Sequence, residues 1–153
     1  MPSGSRADRR PVRALAVCYR LQTDEPDGLE VLLVRSRTGR WTLPGGRVDP
    51  GETPFGAAAR EAREEAGVVG DLDAHPVTEV VLIKRPWELL RPSRLRTPVF
   101  LLEVRTTAPP VEAFRSPAWV VPAEAERRLR EGRTPWTARP RGRALRAALR
   151  RLA

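Results

Sequence analysis

The sequence predicts a single mixed α/β domain in which helices pack on a β-sheet. Three observations lead to this prediction: short apolar segments rich in β-branched residues, one alanine- and glutamate-rich segment with capping residues at both ends, and a length of 153 residues. That length is usual for one domain and suffices to bury a core without a disulfide or a structural zinc. We expect residues 1–10 to form a disordered arm and residues 11–153 to form the domain.

Short apolar runs favour strands at residues 12–19, 29–34, 41–43, 77–83 and 98–104. A turn is predicted at residues 24–28 and a loop at residues 44–46, and an arginine-rich connection separates the last two strands. Cys18 is the only cysteine, which excludes an intramolecular disulfide. It lies in the first apolar run, where a cysteine usually acts as a small hydrophobic residue.

The clearest helix is predicted between residues 53 and 67. Thr53 can cap its N-terminus, Pro54 fits the first turn, and Gly67 can end the helix in a left-handed conformation. The segment between these caps has high helix propensity. Two further helices are predicted at residues 122–131 and 143–152, the last because leucines recur there at helical spacing.

The formal net charge is +9, and Lys84 is the only lysine among 28 basic residues. An Ala-, Arg- and Pro-rich composition is typical of a biased genome, but it also produces a field that attracts polyanions. Arginine suits phosphate because its planar guanidinium can hold two oxygens at once. Charge alone would also fit a nucleic-acid-binding domain, so the motifs must separate these alternatives.

The chain has no segment suited to crossing a membrane. No stretch approaches the ~20 apolar residues of a membrane span, and the first ten residues lack the apolar core of a signal peptide. We therefore expect a cytoplasmic protein without a membrane partner.

Three glutamates are concentrated near the end of the first predicted helix. Glu61 and Glu65 are four residues apart and share one face, and Glu64 lies beside them. Like-charge repulsion and the helix dipole both oppose this arrangement. A divalent cation would remove both objections, because Mg²⁺ binds carboxylate oxygens. A solvated acidic face, with Arg60 and Arg63 as counter-ions, is the alternative explanation.

The glycines before this helix favour the cation. Gly45 and Gly46 allow close backbone approach, so a main-chain carbonyl can point at the same ion. From Gly46 to Val68 the chain runs glycine, five residues, glutamate, seven residues, and then Arg-Glu-Ala-Arg-Glu-Glu-Ala-Gly-Val. This segment resembles the complete Nudix box, with Ala62 as a small member of the hydrophobic position.

The resemblance implies the Nudix fold, an α/β/α sandwich with a mixed β-sheet, and a site for Mg²⁺ or Mn²⁺. In this family, the carbonyl matching Gly45 and the carboxylates matching Glu61 and Glu65 usually hold the metal. These three residues are therefore the expected metal ligands.

The same resemblance assigns the remaining residues of the box. The carboxylate matching Glu64 is a common metal ligand or water-activating base, and we take Glu64 as the candidate catalytic residue. Some members draw the base from a later loop, where Glu88 would be the candidate. Glu52 and Arg60 are expected to pair and brace the helix from behind the metal ligands.

Four further segments carry a second resemblance: Arg13-Ala14 ahead of Cys18-Tyr19-Arg20, residues 31–37 running into 41–46, residues 64–70, and the spacing of Arg115, Trp119, Glu124-Ala125 and Arg133. In these segments the chain resembles the diphosphoinositol polyphosphate phosphohydrolase branch, whose members cleave inositol pyrophosphates and often dinucleoside polyphosphates. The connection at residues 84–96 departs from that branch, because it is longer and contains two prolines. By this resemblance, the residues expected to contact substrate phosphates are Arg13, Arg35, Ser36, Arg37, Arg115 and Arg133, with Arg94 or Arg96 adding to the wall.

These features predict metal-dependent hydrolysis of a phosphoanhydride bond in a polyphosphorylated small molecule. One alternative is an enzyme acting on nucleoside triphosphates, on oxidised nucleotides or on the 5′ end of RNA. Trp87 and Trp136 could then stack on a base, and nucleic acid is expected as a partner only in that form. A non-catalytic Nudix-fold binding module is a more remote alternative, because the three box glutamates are all present.

Overall fold

The computed structural model describes residues 13–22, 27–84 and 93–153. The predicted arm at residues 1–10, most of the predicted turn at 24–28 and the connection at 85–92 lie outside these ranges. The elements in chain order are β1 (Arg13–Leu21), β2 (Leu29–Arg35), β3 (Trp41–Thr42), β4 (Gly45–Arg47), α1 (Pro54–Ala66), β5 (Val68–Leu72), β6 (Thr78–Lys84), β7 (Ser93–Thr107), β8 (Ala118–Val120), α2 (Pro122–Arg130) and α3 (Pro135–Leu152).

The strands of the described ranges form one mixed sheet centred on β1 and β7. These two strands run parallel, with Leu15 opposite Val99. β2 and β4 pair antiparallel with β1, and β5 and β6 pair antiparallel with β7. β3 and β8 add to β2. The predicted mixed sheet is confirmed.

Alternate side chains of β1 face two different cores, as the twofold period of a strand requires. Leu15 and Val17 pack in the core beneath α2 and α3, whereas Ala14, Ala16 and Cys18 pack against α1. Small side chains on the second face meet four buried alanines of α1, so the helix lies close to the sheet. The three layers confirm the predicted α/β/α sandwich, and Cys18 is fully buried as a small core residue.

Helix α1 has the caps that the sequence indicates. The Thr53 hydroxyl oxygen accepts a hydrogen bond from the Gly56 N–H at 3.0 Å, and Pro54 occupies the first turn. Gly67 ends the helix with φ 69°, a left-handed conformation that glycine adopts without steric cost. These caps fix which residues form the last turns of the helix.

Three predicted boundaries are wrong. Residues 45–47 form β4 rather than a loop, because their backbone pairs with β1 despite low strand propensity. Strand β5 was missed because it contains Gly70 and Asp71, two poor strand formers, yet it pairs with β7 across a bulge. Helix α3 begins at residue 135, not 143, since Pro140 and Gly142 do not interrupt it.

No helix within the described ranges combines the length and apolar character needed to cross a bilayer.

Candidate active site

The carboxylates of Glu61 and Glu65 lie side by side between α1 and β4. Their side chains are only 13% and 6% exposed. The Gly45 N–H donates to Glu65 Oε2 at 3.2 Å. A Cβ at residue 46 would lie 2.5 Å from Glu61 Oε1, so glycine is required there for Glu61 to lie against the strand.

This carboxylate pair is suited to a divalent cation. The pKa of Glu65 is raised to about 8, mainly by burial and in part by the hydrogen bond with Glu61, against the opposing effects of the Gly45 N–H and Arg115. Two buried carboxylates in contact must share either a proton or a cation. Their oxygens are the hard ligands that Mg²⁺ and Mn²⁺ prefer.

The pair would need main-chain or water oxygens to complete a coordination shell. Within residues 13–22, 27–84 and 93–153, no three acidic, histidine or cysteine side chains converge on one point. Mg²⁺ usually keeps several water ligands and binds through one or two carboxylates. A two-carboxylate site therefore fits that ion.

Arg60 holds the outer side of this cluster. Its guanidinium donates to both carboxylate oxygens of Glu52 at 2.9 Å, to Glu61 Oε1 at 2.8 Å and to Glu64 Oε2 at 3.3 Å. It also contacts the Arg47 carbonyl at 3.0 Å and Asp49 Oδ2 at 3.4 Å. The Arg60 hydrogen bonds lower the pKa of Glu52 to about 2. The structure thus brings Glu52 and Arg60 together and places Glu64 on the flank of the pair, with its side chain 38% exposed.

A cleft of about 350 Å³ opens beside Glu65. Four of the residues expected to contact phosphate line it: Arg13, Ser36, Arg37 and Arg115. Two of the expected metal ligands, Gly45 and Glu65, line it as well. The lining comprises Arg13, Leu15, Ser36, Arg37, Thr38, Thr42, Leu43, Gly45, Glu65, Leu82, Ile83, Leu95, Arg115 and Arg141.

Arg115 joins the carboxylates to the wall of this cleft. It is 9% exposed, and its Nη2 lies 3.5 Å from Glu65 Oε1 and 3.2 Å from Glu112 Oε1. Its Nη1 donates to the Arg35 carbonyl at 3.1 Å, whereas its buried Nε has no hydrogen-bond partner within the described residues. Arg115 therefore has a donor left for a ligand.

The structure places Arg35 and Arg133 outside the cleft lining. The Arg35 guanidinium stacks on the Trp41 ring at 3.8 Å and donates to the Gly39 carbonyl. Arg133 donates to the Trp41 carbonyl at 2.6 Å and lines a separate groove of about 310 Å³ between α2 and α3. Both side chains connect elements of the fold, and their phosphate contacts stay unsupported predictions.

Arg94 and Arg96 also lie outside the cleft lining. Leu95, which stands between them on β7, is in the lining. Arg96 makes a bidentate pair with Glu79 at 2.7 and 2.9 Å. The alternative base, Glu88, lies outside the described residues.

Arg141 lines the cleft but was missed from the sequence. It lies in the first half of α3, before the residue 143 at which the sequence predicts the helix to begin. Thr134 followed by Pro135 repeats the Thr-Pro pair that begins α1, and this signal could have found the true start.

The fold and the loop–helix arrangement define a Nudix-type sandwich. The family model of the NUDIX domain matches residues 10–140. The chain belongs to the Nudix hydrolase family.

Among curated proteins, the chain is similar to diphosphoinositol polyphosphate phosphohydrolase 2 from Rattus norvegicus, at 48% identity over 67 residues. This match covers 42% of the chain and 36% of that protein, so the aligned stretch spans about a third of the relative's length. The human diphosphoinositol polyphosphate phosphohydrolase 3-alpha is also 48% identical, over 62 residues, which are 39% of the chain and 35% of that protein.

Solved structures support the same fold. The Ap4A hydrolase of C. elegans has a TM-score of 0.63 at 24% identity, covering 94% of this chain and 100% of that one. The NUDIX domain of Shewanella oneidensis NrtR, solved with ADP ribose, has a TM-score of 0.67 at 21% identity, covering 94% and 89%. At these identities the likeness establishes the fold.

Proposed function

We propose that this protein hydrolyses a phosphoanhydride bond in a polyphosphorylated small molecule and requires Mg²⁺ or Mn²⁺. The substrate class we favour is a diphosphoinositol polyphosphate or a dinucleoside polyphosphate. The observation that carries the proposal is the meeting of opposite charges at one cleft: Glu65, one member of the buried Glu61–Glu65 carboxylate pair, lines the cleft together with several arginines.

The carboxylate pair and the Gly45 main chain would hold the cation. When bound, such an ion supplies charge neutralisation on phosphate oxygens and lowers the pKa of a bound water. The chain itself fixes both carboxylates before any ligand arrives. Gly45 and Arg115 orient Glu65, and Arg60 orients Glu61. Such preorganisation avoids reorganisation during the reaction.

Glu64 is the proposed base. Arg60 holds its Oε2 at 3.3 Å, which leaves Oε1 free of that contact, and the side chain is open enough to meet water. A carboxylate in this position can orient a water molecule and accept its proton. Glu88 stays the alternative base.

Arg13, Ser36, Arg37 and Arg115 are the proposed phosphate contacts, because all four line the cleft beside Glu65. A guanidinium in a partly buried cleft interacts more strongly with phosphate than one in open water. The rat and human relatives are named for diphosphoinositol polyphosphates, which carry many phosphates. A basic wall fits such a ligand.

The described wall favours phosphate recognition over base recognition. No aromatic side chain lines the cleft within the ranges that the structure covers. Trp136 is 46% exposed on α3 and does not reach the lining, and Trp87 lies outside the described residues. We therefore place inositol and dinucleotide polyphosphates ahead of nucleoside triphosphates.

The test is a turnover assay with a substrate panel. The purified chain is incubated with Mg²⁺ or Mn²⁺ and, separately, a diphosphoinositol polyphosphate, a dinucleoside polyphosphate, a nucleoside triphosphate and a nucleotide sugar. We expect kcat/KM to be highest for the first two and turnover to stop in excess EDTA. Undiminished turnover in EDTA would overturn the metal requirement, and preference for the nucleotide sugar would overturn the substrate class.

A further inference from the structure

The charges that line the cleft are unbalanced. Four arginines and one glutamate reach it. Arg115 is neutralised by Glu65 and Glu112, and Arg37 lies 3.9 Å from Glu112. In the part of the chain that the structure describes, neither Arg13 nor Arg141 has a carboxylate within 4.0 Å.

Arg141 is held by neutral groups alone among the described residues. Its Nε donates to Thr42 Oγ1 at 3.1 Å, and its Nη1 donates to the Thr137 carbonyl at 3.3 Å. Burial, together with the like charges of Arg133, Arg13 and Arg40, lowers the pKa of Arg141 to about 10. The Nη2 group has no partner among these contacts.

Arg13 is likewise a partly buried guanidinium without a carboxylate in contact among the described residues. Its Nε is buried without a hydrogen-bond partner in the described residues. Burial also lowers the pKa of Arg13, and Glu65 and Glu61 oppose that effect from the carboxylate side of the cleft. Arg13 and Arg141 both line the cleft, and the charge of Arg13 acts on Arg141 while the carboxylate pair acts on Arg13.

Two partly buried guanidinium groups that repel each other destabilise a protein unless an anion neutralises them. Phosphate is the anion best matched to a guanidinium, because paired N–H donors meet paired oxygens. An arginine kept in such a place without a carboxylate partner is thus explained more directly by a ligand than by folding.

We propose that Arg141, together with Arg13, forms a second phosphate subsite in the cleft. It holds a phosphate group other than the one attacked beside Glu61 and Glu65. The subsite selects substrates that carry at least two phosphate groups separated along the cleft. This role as a substrate subsite rests on the proposed function, whereas anion binding at Arg141 does not.

The competing explanation is that Arg141 is a structural link between α3 and Thr42 of β3. The two explanations differ in their effect on stability. A structural link loses stability when it is removed. A ligand-directed guanidinium among like charges keeps or gains stability when replaced by an apolar side chain of similar length.

The experiment compares wild type with Arg141→Met and with Arg143→Met, an identical substitution at an exposed position on the same helix. Tripolyphosphate and inorganic phosphate are titrated by calorimetry in EDTA at low salt, and Tm is measured in phosphate-free buffer. We expect Arg141→Met to weaken tripolyphosphate binding by at least about 10-fold, the scale of a lost contact between charged groups. Inorganic phosphate should respond less, Arg143→Met should change either affinity by less than about 2-fold, and Arg141→Met should keep or raise Tm.

Equal weakening by Arg141→Met and Arg143→Met would overturn the subsite, because a distributed surface field responds alike to both. If Arg141→Met is too unstable to titrate, Arg141→Lys keeps the charge but loses the planar fork. The subsite predicts weaker tripolyphosphate binding by Arg141→Lys with Tm nearly unchanged. Reduced Tm with wild-type affinity would establish the structural role and overturn the subsite.

The proposed hydrolase function and the proposed phosphate subsite can be contradicted by different results. Wild-type protein that binds tripolyphosphate through Arg141 but hydrolyses none of the substrate panel contradicts the proposed function and retains the anion site. Hydrolysis that is unaffected by Arg141→Met contradicts the subsite and retains the hydrolase.

Discussion

The carboxylates of α1 and the arginines Arg13 and Arg141 differ in how far the protein itself supplies their counter-ions. We call the first group, Glu61, Glu64 and Glu65, the acidic wall and the second group the basic wall. On α1, Arg60 contacts Glu52, Glu61 and Glu64, and Arg115 contacts Glu65. Across the cleft, Arg13 and Arg141 have no carboxylate partner in the described ranges. The carboxylates are held in place by the protein, whereas these two arginines are not neutralised by it.

This difference does not come from a shortage of acidic residues. Glu124 pairs with Arg127 and Arg128 on α2, and Glu126 pairs with Arg146 on α3. The acidic side chains of α2 therefore neutralise arginines of α2 and α3, whereas Arg141 has no carboxylate within 4.0 Å among the described residues. We infer that the counter-ion of Arg141 is the ligand.

The largest expected effect is on the acidic wall. Glu65→Gln should lower kcat by at least about 100-fold, because the carboxylate pair loses one of its two charges. Folding should survive, since glutamine can still accept the Gly45 N–H hydrogen bond. Steady-state kinetics with the favoured substrate measures the effect, and Glu64→Gln should lower kcat to a similar degree.

Tm serves as the control for both variants and should stay within a few degrees of wild type. Wild-type turnover by Glu65→Gln would show that the buried pair takes no part in the reaction. Full activity of Glu64→Gln alone would move the base to Glu88.

The sequence predicts the acidic wall far better than the basic one, for a physical reason. Glu61 and Glu65 lie about one turn apart on α1, so helical spacing alone brings their side chains together. The caps Thr53 and Gly67 also fix where that helix begins and ends. Helix capping and helical spacing are therefore enough to predict the carboxylate side of the site.

The basic wall depends on long-range placement, which local rules do not give. Arg94 and Arg96 are outside the cleft lining, because the placement of β7 in the sheet decides which of its residues reach the cleft. Arg133 was expected in the cleft but connects α2 to β3 instead. Arg141 was missed because the leucine spacing that predicts the last helix begins only at residue 143, whereas α3 begins at Pro135.

A smaller effect concerns the brace behind the acidic wall. The folded pKa of Glu52 is lowered to about 2, so its stabilising effect is present above the usual value of 4.5 and is lost as pH falls from 4.5 towards 2. Glu52→Gln should therefore lower Tm by a few degrees at pH 7, and its difference from wild type should shrink below pH 4. Thermal unfolding from pH 7 to pH 2.5 measures this.

Glu124→Gln is the matched control, because arginine hydrogen bonds also lower the pKa of Glu124 to about 2. Both variants should show the same acid-linked change in Tm. Only Glu52→Gln should also lower kcat, since Arg60 then loses the partner that fixes it beside Glu61 and Glu64. An equal change of kcat in both variants would contradict the bracing role.

The most direct test of the two-wall account is a crossed binding measurement on Glu65→Gln and Arg141→Met. Each variant is titrated with Mn²⁺ alone and, in EDTA, with tripolyphosphate alone. The account predicts that Glu65→Gln loses Mn²⁺ affinity and binds tripolyphosphate within about 3-fold of wild type, while Arg141→Met does the reverse. Loss of both affinities in either variant, or of neither, would contradict a cleft with separate cation and phosphate walls.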